Sequence, residues 1–431
     1  MSLRVNESSR LMLDDARPGD PEDPYAAESE ATGGAHVASA GGTITSSAAN
    51  LAQSALGAGT LGMAGVVMSA GAAVSVFFLV ATAITSVMAA WILVKVSDKM
   101  DRVTYEDIAM AVGGKALRNI TAFTIALLTW GVEIIYIIAV GAAVKPFVAN
   151  VHFWGSDRGC QLITFFLWLG VMLPLSLMKR INQLRYASAI GLVTLLLIVV
   201  ALSLEADRNR NTIPMSVGKL SAVTALPNIF FSYCVQPNTF QIYRDLTQRS
   251  PGRMVVALAL ALSFSSAVYI AAGLSGAIAF GTATQSLVLA NFHDIIARPF
   301  QAVALAGYTF TLLVSYPVVV FPPRDAIIQV VFGYSNVEEF PEKKRLALCL
   351  AIATSSLVVG TFFQNFGAAM DVIGGICSAL AAFVFPAVFA LRCNLFESLP
   401  GRVGAWTLAI LGMLVGVGTT VLGIYHEISK K

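Results

Sequence analysis

The sequence predicts an all-α integral membrane protein of about eleven transmembrane helices. Three observations carry that prediction. The chain is 56% hydrophobic and only 12% charged, where an ordinary soluble domain carries about 25% charged residues. Apolar stretches of about 20 residues, the length a helix needs to cross hydrocarbon, recur from residue 47 to residue 425. Lysine and arginine gather in alternate connections between those stretches, as they do when every second loop faces the cytoplasm. A mean hydropathy of +0.74 agrees.

Residues 1–43 differ from the rest. They hold eight carboxylates, among them Asp14, Asp15, Glu22 and Asp23, with several prolines and glycines and few large apolar side chains. Such a composition cannot bury enough apolar surface to order itself. With no apolar central region it does not read as a signal peptide. The expectation is a disordered acidic cytoplasmic tail, followed by one transporter domain over 44–431.

The spans then follow at 47–71, 74–96, 119–148, 160–178, 186–205, 220–241, 254–280, 299–321, 346–364, 368–391 and 405–425. With the N-terminus inside, 20 of the 28 basic residues fall on the cytoplasmic side. Lys95, Lys99, Arg102, Lys179, Arg180, Arg185, Lys343 and Lys344 are among them. The outer side keeps Lys145, Arg158, Arg208, Arg210, Lys219, Arg298, Lys430 and Lys431. The C-terminus is therefore expected outside. The five cysteines (160, 234, 349, 377 and 393) are scattered, without metal-like spacing, and read as small buried hydrophobes.

Two spans carry their own interruptions. The first contains "GAGTLG", with Gly57, Gly59 and Gly62 around Thr60, where each interior glycine costs about 1 kcal/mol relative to alanine. The sixth contains "SYCVQP", residues 232–237, and proline lacks the amide a helix interior needs. Small residues also serve close helix packing. As a pair, however, the interruptions fall at corresponding positions if helices 1–5 repeat as 6–10, which marks the binding site of an inverted-repeat transporter. A break exposes amides that suit a carboxylate and carbonyls that suit an ammonium or cation, so a zwitterion such as an amino acid fits.

Of the 25 acidic residues, only Glu133 falls at the middle of a span, in "LTWGVEIIYIIAV". Asp371 and Asp325 lie near span ends. An ionisable group at mid-membrane is a functional candidate by default. Glu133 could pair with the side-chain cation of arginine, lysine or ornithine, carry a proton, or stay protonated and hydrogen-bonded to a neighbouring helix. Tyr136, three residues on, shares nearly the same face and could close the site, bind the substrate or simply pack. The four histidines, His36, His152, His293 and His426, lie in the tail or at outer ends. No phosphate-binding glycine loop, nucleophile with a partner base or nucleic-acid surface stands out, which leaves enzyme and nucleic-acid roles without support. No cofactor and no metal site is expected.

Five ordered segments carry a resemblance: "NLAQSALGAGTLGM" (50–63), "TYEDIA" (104–109), "LPLSLMKRINQLRYASAIGL" (173–192), "SYCVQPNTFQIYRDLTQRSPGRM" (232–254) and "YPVVVFPPRDAI" (316–327). The chain resembles the amino acid/auxin permease family, its system A/system N neutral amino-acid branch above all. It is also similar to the amino acid permeases of trypanosomatid parasites. The resemblance implies a LeuT-like 5+5 inverted repeat plus one helix, and secondary active amino acid uptake by alternating access. It maps the family's substrate-contacting stretch onto Gly57, Ala58, Gly59, Thr60 and Leu61 of helix one and its helix-six break onto Ser232, Tyr233 and Cys234, which join the substrate-binding candidates. Helix three faces the substrate in that family, which brings in Glu133 and Tyr136. Where the sodium-coupled branch has an ion-binding asparagine on helix one, this chain has Gln53, and the helix-eight hydroxyl that pairs with it is matched by Ser315.

The resulting expectation is a permease for cationic amino acids (arginine or lysine), coupled to a proton more readily than to sodium. Gln53, Ser315 and Glu133 are its ion-coupling candidates. The alternatives are a broad neutral amino acid permease or an amino-acid-sensing receptor without net transport. The expected partners are the amino acid, the co-transported proton and the lipid bilayer. The expected site is the plasma membrane, with an acidic organelle second.

Overall fold

The computed structural model describes residues 42–178, 185–293, 295–334 and 337–429. The tail up to residue 41, Lys179, Arg180, Lys430 and Lys431 lie outside the described residues, as do the side chains of Arg185 and His426. Nine helices among the described residues are long and apolar enough to cross a membrane. The first and sixth predicted spans are instead each split in two.

The first is α1 (Ile44–Ala55) and α2 (Met63–Ala70), joined through a four-residue helical piece, Ala58–Leu61. Then come α3 (Ala72–Met100), α4 (Tyr105–Val148), α5 (Asp157–Ser176) and α6 (Arg185–Asn209). The split sixth span is α7 (Leu226–Ser232) and α8 (Gln236–Asp245). It is followed by α9 (Pro251–Phe280), α10 (Pro299–Val330), α11 (Glu342–Phe362), α12 (Phe366–Arg392) and α13 (Leu399–Ser429). The side from which α1 sets out is called the tail face below, and the opposite side the far face.

Three boundaries differ from the sequence expectation. α4 starts at Tyr105, ahead of the predicted span start at 119: the Thr104 hydroxyl caps it by accepting from the amide of Asp107 at 3.1 Å, and Glu106 and Asp107 face its positive dipole end. This arm turns at Gly114 (φ 69°, ψ −168°) before the membrane helix proper, a conformation glycine adopts without the steric cost of a Cβ. α10 runs past the predicted stop at 321, through Pro317, Pro322 and Pro323. Pro237, expected as the helix breaker, opens α8 instead. At a first helical position the missing amide would have had no partner anyway.

Small residues let the helices meet closely. Gly273 and Gly276 of α9 lie against Met63 and Ala64 of α2, and Gly360 of α11 against Ile137 of α4. Helix α9 thereby touches both halves of the first span, and α4 packs along α10. A second buried carboxylate escapes the sequence reading, which put Glu205 at the edge of the fifth span. It is 2% exposed. Arg298 bonds its Oε1 at 2.6 Å, and Gln301 donates to its Oε2 at 2.8 Å. Removing one partner of a buried ion pair costs about 3–5 kcal/mol where both are fully desolvated. Arg298 is one-third exposed, so Glu205→Ala is expected to cost roughly 2–3 kcal/mol, read as a lower thermal midpoint in detergent.

Candidate functional site

The site starts from two places where backbone leaves its helix. α1 ends at Ala55, Leu56 takes φ −78°, ψ 59°, and Gly57 takes φ −109°, ψ −136°. The chain then resumes with the amide of Thr60 donating to the Gly57 carbonyl at 3.2 Å. In the sixth span the helical ladder stops at Ser232, and residues 233–235 lead into α8. Unpaired backbone is tolerated at membrane depth only where protein or a cavity surrounds it. Here side chains of neighbouring helices supply the partners. Ser86 of α3 donates to the Tyr233 carbonyl at 2.7 Å, and Gln236 donates to the Ser86 hydroxyl at 2.9 Å. The Tyr233 hydroxyl meets Ser266 of α9 at 2.6 Å.

The two breaks touch. A Cβ placed on Gly59 would collide with the hydroxyl and Cβ of Ser232. Thr60 is 3% exposed, and its hydroxyl has no hydrogen-bond partner. Ala58 and Leu61 are buried beside it. The Tyr136 hydroxyl lies 3.8 Å from a Cβ built at Gly57, so α4 presents Tyr136 to the first break. Cys234 is half-buried, its thiol 4.0 Å from the Ser378 carbonyl in a π-helical turn of α12.

Glu133 is fully buried, and its neighbours come from α10 and α11. The Tyr316 hydroxyl lies 3.4 Å from its Oε2 and 2.6 Å from the Ser356 hydroxyl, while its Oε1 has no hydrogen-bond partner. Positions three apart on a helix differ by about 60° in direction. That is enough to send Tyr136 to the break and Glu133 into a separate polar cluster. Gln53 and Ser315 are each half-buried, and no hydrogen bond joins them among the described residues.

The two faces are built differently. On the far face, the connection between α9 and α10 folds back inward. Ser286 is wedged between Gly65 and Gly367, Leu289 is fully buried, and Asn291 pins the loop by bonding the Gln285 amide at 2.9 Å and the Ala283 carbonyl at 2.7 Å. A cavity of about 490 Å³ remains outside this plug, bordered by Lys145, Asp157 and Gln161. On the tail face, a cavity of about 290 Å³ opens beside α8, bordered by Tyr105, Ile125, Pro237 and Phe240. The tail-side halves of the broken spans are tied together: the Gly42 amide donates to the Asp245 carbonyl at 2.9 Å, and Asn238 bonds Ser54.

Sequence reasoning missed Ser86, Gln236, Tyr269, Tyr316 and Ser356.

Comparison with known proteins agrees with this arrangement. The profile of the transmembrane amino acid transporter protein family matches residues 40–429. Amino acid transporter AVT6E of Arabidopsis thaliana is 23% identical over 408 residues, covering 88% of this chain and 83% of that protein. Sodium-coupled neutral amino acid transporter 7 of Xenopus laevis is 26% identical over 411 residues, covering 89% of each. Among solved structures, MhsT in complex with L-phenylalanine superposes with a TM-score of 0.58 at 12% identity, covering 88% of this chain and 98% of that one. Inward-facing Mhp1 gives 0.54 at 11% identity, covering 88% and 90%. The likeness to MhsT and Mhp1 places the fold in the LeuT-like class.

Proposed function

The chain belongs to the transmembrane amino acid transporter family, and from that premise we propose that it is a secondary active carrier of neutral α-amino acids, driven by protons and working by alternating access. The observation that carries this reading is the meeting of the two broken helices at Gly59 and Ser232, with Tyr136 over Gly57. The substrate carboxylate lies at Ala58 and Gly59, at the start of the Ala58–Leu61 helical segment, where the first amides of a helix have no intrahelical partner. Its ammonium takes carbonyls at the ends of α1 and α7. Its side chain meets Tyr136 and Cys234, which carry no formal charge, and this favours a neutral substrate.

Coupling resides one layer behind. Glu133 is the proton carrier, next to the Tyr316 hydroxyl, which is itself paired with Ser356. Its placement away from the breaks supports coupling through a relay rather than direct contact with the substrate. The second reading, a carrier for arginine or lysine with the substrate cation on Glu133, is favoured by the unpartnered Oε1. The tail and the connections of the same face are assigned to the cytoplasm by their basic residues, in the plasma membrane.

The deciding measurement is uptake of labelled alanine and arginine into vesicles containing the purified chain, under an inward proton gradient or an inward sodium gradient. Alanine accumulation driven by protons is expected, at least tenfold above that driven by sodium. Arginine preferred over alanine would move the assignment to the second reading. Binding of either without accumulation would make the protein a sensor.

A further inference from the structure

Tyr269 sits on α9, fully buried, and its hydroxyl lies 2.6 Å from the Ala55 carbonyl and 2.8 Å from the Ser232 carbonyl. Ala55 is the last residue of α1, and Ser232 is the last of α7. One side chain therefore bridges the terminal carbonyls of both broken helices. A phenol has a single proton to donate, so two acceptors share it, although the Gly57 amide also reaches the Ala55 carbonyl at 2.8 Å.

Two carbonyl dipoles aimed at one buried point from two helix C-termini favour positive charge there. An ammonium group, with three donors, would satisfy both acceptors in full. An ammonium set between the same two oxygens at this point would overlap the Tyr269 oxygen, which lies within 3 Å of each, so at this position the hydroxyl and an ammonium alternate. The ring itself is held, edge-on to Tyr233 with centroids 5.3 Å apart, and Tyr233 is held in turn by Ser266 one turn before Tyr269. The phenol oxygen moves only with its ring, so giving up this position takes a shift of the ring against Tyr233.

We propose that the Tyr269 hydroxyl is a built-in stand-in for the substrate ammonium. It donates to Ala55 and Ser232 while the carrier returns without substrate, and it gives way when an amino acid binds. This rests on the amino acid reading above. Without the hydroxyl, the returning carrier would bury the Ser232 carbonyl short of this donor and leave the Ala55 carbonyl with the Gly57 amide alone, at a free-energy cost, whereas the loaded carrier would lose nothing. Tyr269 is thus a positioning residue for one half of the transport cycle.

The test uses the full chain in proteoliposomes with labelled alanine. Net uptake into vesicles without internal alanine requires return of the unloaded carrier. Exchange against internal unlabelled alanine does not. Tyr269→Phe keeps the ring and removes only the hydroxyl. It is expected to lower net uptake at least tenfold, keep exchange within about twofold, and lower the KM for alanine, with the residual uptake still driven by a proton gradient. Tyr269→His, which restores a ring donor, is expected to recover part of the net uptake. Equal loss of both fluxes in the Phe and His variants, or no loss of net uptake in Tyr269→Phe, overturns the proposal. Wild-type protein that moves alanine in neither mode overturns the amino acid reading, and this inference with it, independently of any variant.

Discussion

Gly59→Ala is expected to abolish amino acid uptake while leaving the protein folded. The added methyl would lie on top of the Ser232 hydroxyl and within 2.9 Å of its Cβ. Overpacking by one methyl costs about 1–3 kcal/mol, and here it is spent at the single point where the two breaks meet. The helices can relieve it only by separating. That would move the amides of the first break away from the carbonyls of the second, and a misplacement of about 1 Å in a positioning site can cost 100-fold. Uptake is therefore expected to fall at least 100-fold, with a monodisperse gel-filtration profile. The compensating double variant Gly59→Ala/Ser232→Gly removes the obstructing side chain and should recover at least tenfold of the loss, a coupling of about 1.4 kcal/mol or more between residues in contact. Loss in the double variant equal to that in the single would show that the contact is not the cause.

Glu133→Gln should uncouple the carrier. The amide matches the carboxylate in shape and can still bond Tyr316 and Ser356, so the cluster of α4, α10 and α11 keeps its packing. What it loses is the exchangeable proton. Concentrative alanine uptake is expected to drop at least tenfold and to become independent of external pH, where wild-type uptake rises as external pH falls. Exchange across vesicles with equal pH on both sides should persist. If the variant loses arginine transport alone and keeps proton-driven alanine uptake, Glu133 is a selector of substrate charge rather than a proton carrier. This separates it from Tyr269→Phe, whose remaining uptake stays proton-driven.

Much of the architecture was legible because hydrocarbon imposes simple rules on a chain. Length and hydropathy located the spans, since a helix must satisfy its own backbone in lipid. Two glycine- or proline-bearing stretches stood out because backbone irregularity at that depth needs a reason. The break in the sixth span was placed at Ser232–Cys234 by the resemblance alone, while the residues themselves pointed to Pro237, because the chemistry of proline is visible in a sequence and its register on the helix is not. The same limit applied to α4: Thr104, Glu106 and Asp107 carried a capping pattern, but the hydropathy window began only at residue 119. Tyr269 was passed over for a related reason. Nothing local distinguishes a tyrosine that packs in a helix from one that holds two distant carbonyls 214 and 37 residues away.

The sequence by itself determined that this protein lives in a membrane, that its helices are broken at Gly57–Thr60 and near residue 233, and that one carboxylate, Glu133, lies deep within it. Those are properties of composition and of short stretches of chain. Only the tertiary structure decided which way each group faces. Tyr136 turns to the first break, and Glu133, three residues earlier, turns to Tyr316 and Ser356. The carbonyls of Ala55 and Ser232 converge on Tyr269. The physical reason is that a single helix sets directions only relative to its own axis. The rotation of each helix about that axis is set by which small residues let it approach its neighbours, here Gly59 against Ser232, Gly360 against Ile137, and Gly273 against Met63, and these are pairings between segments far apart in the chain.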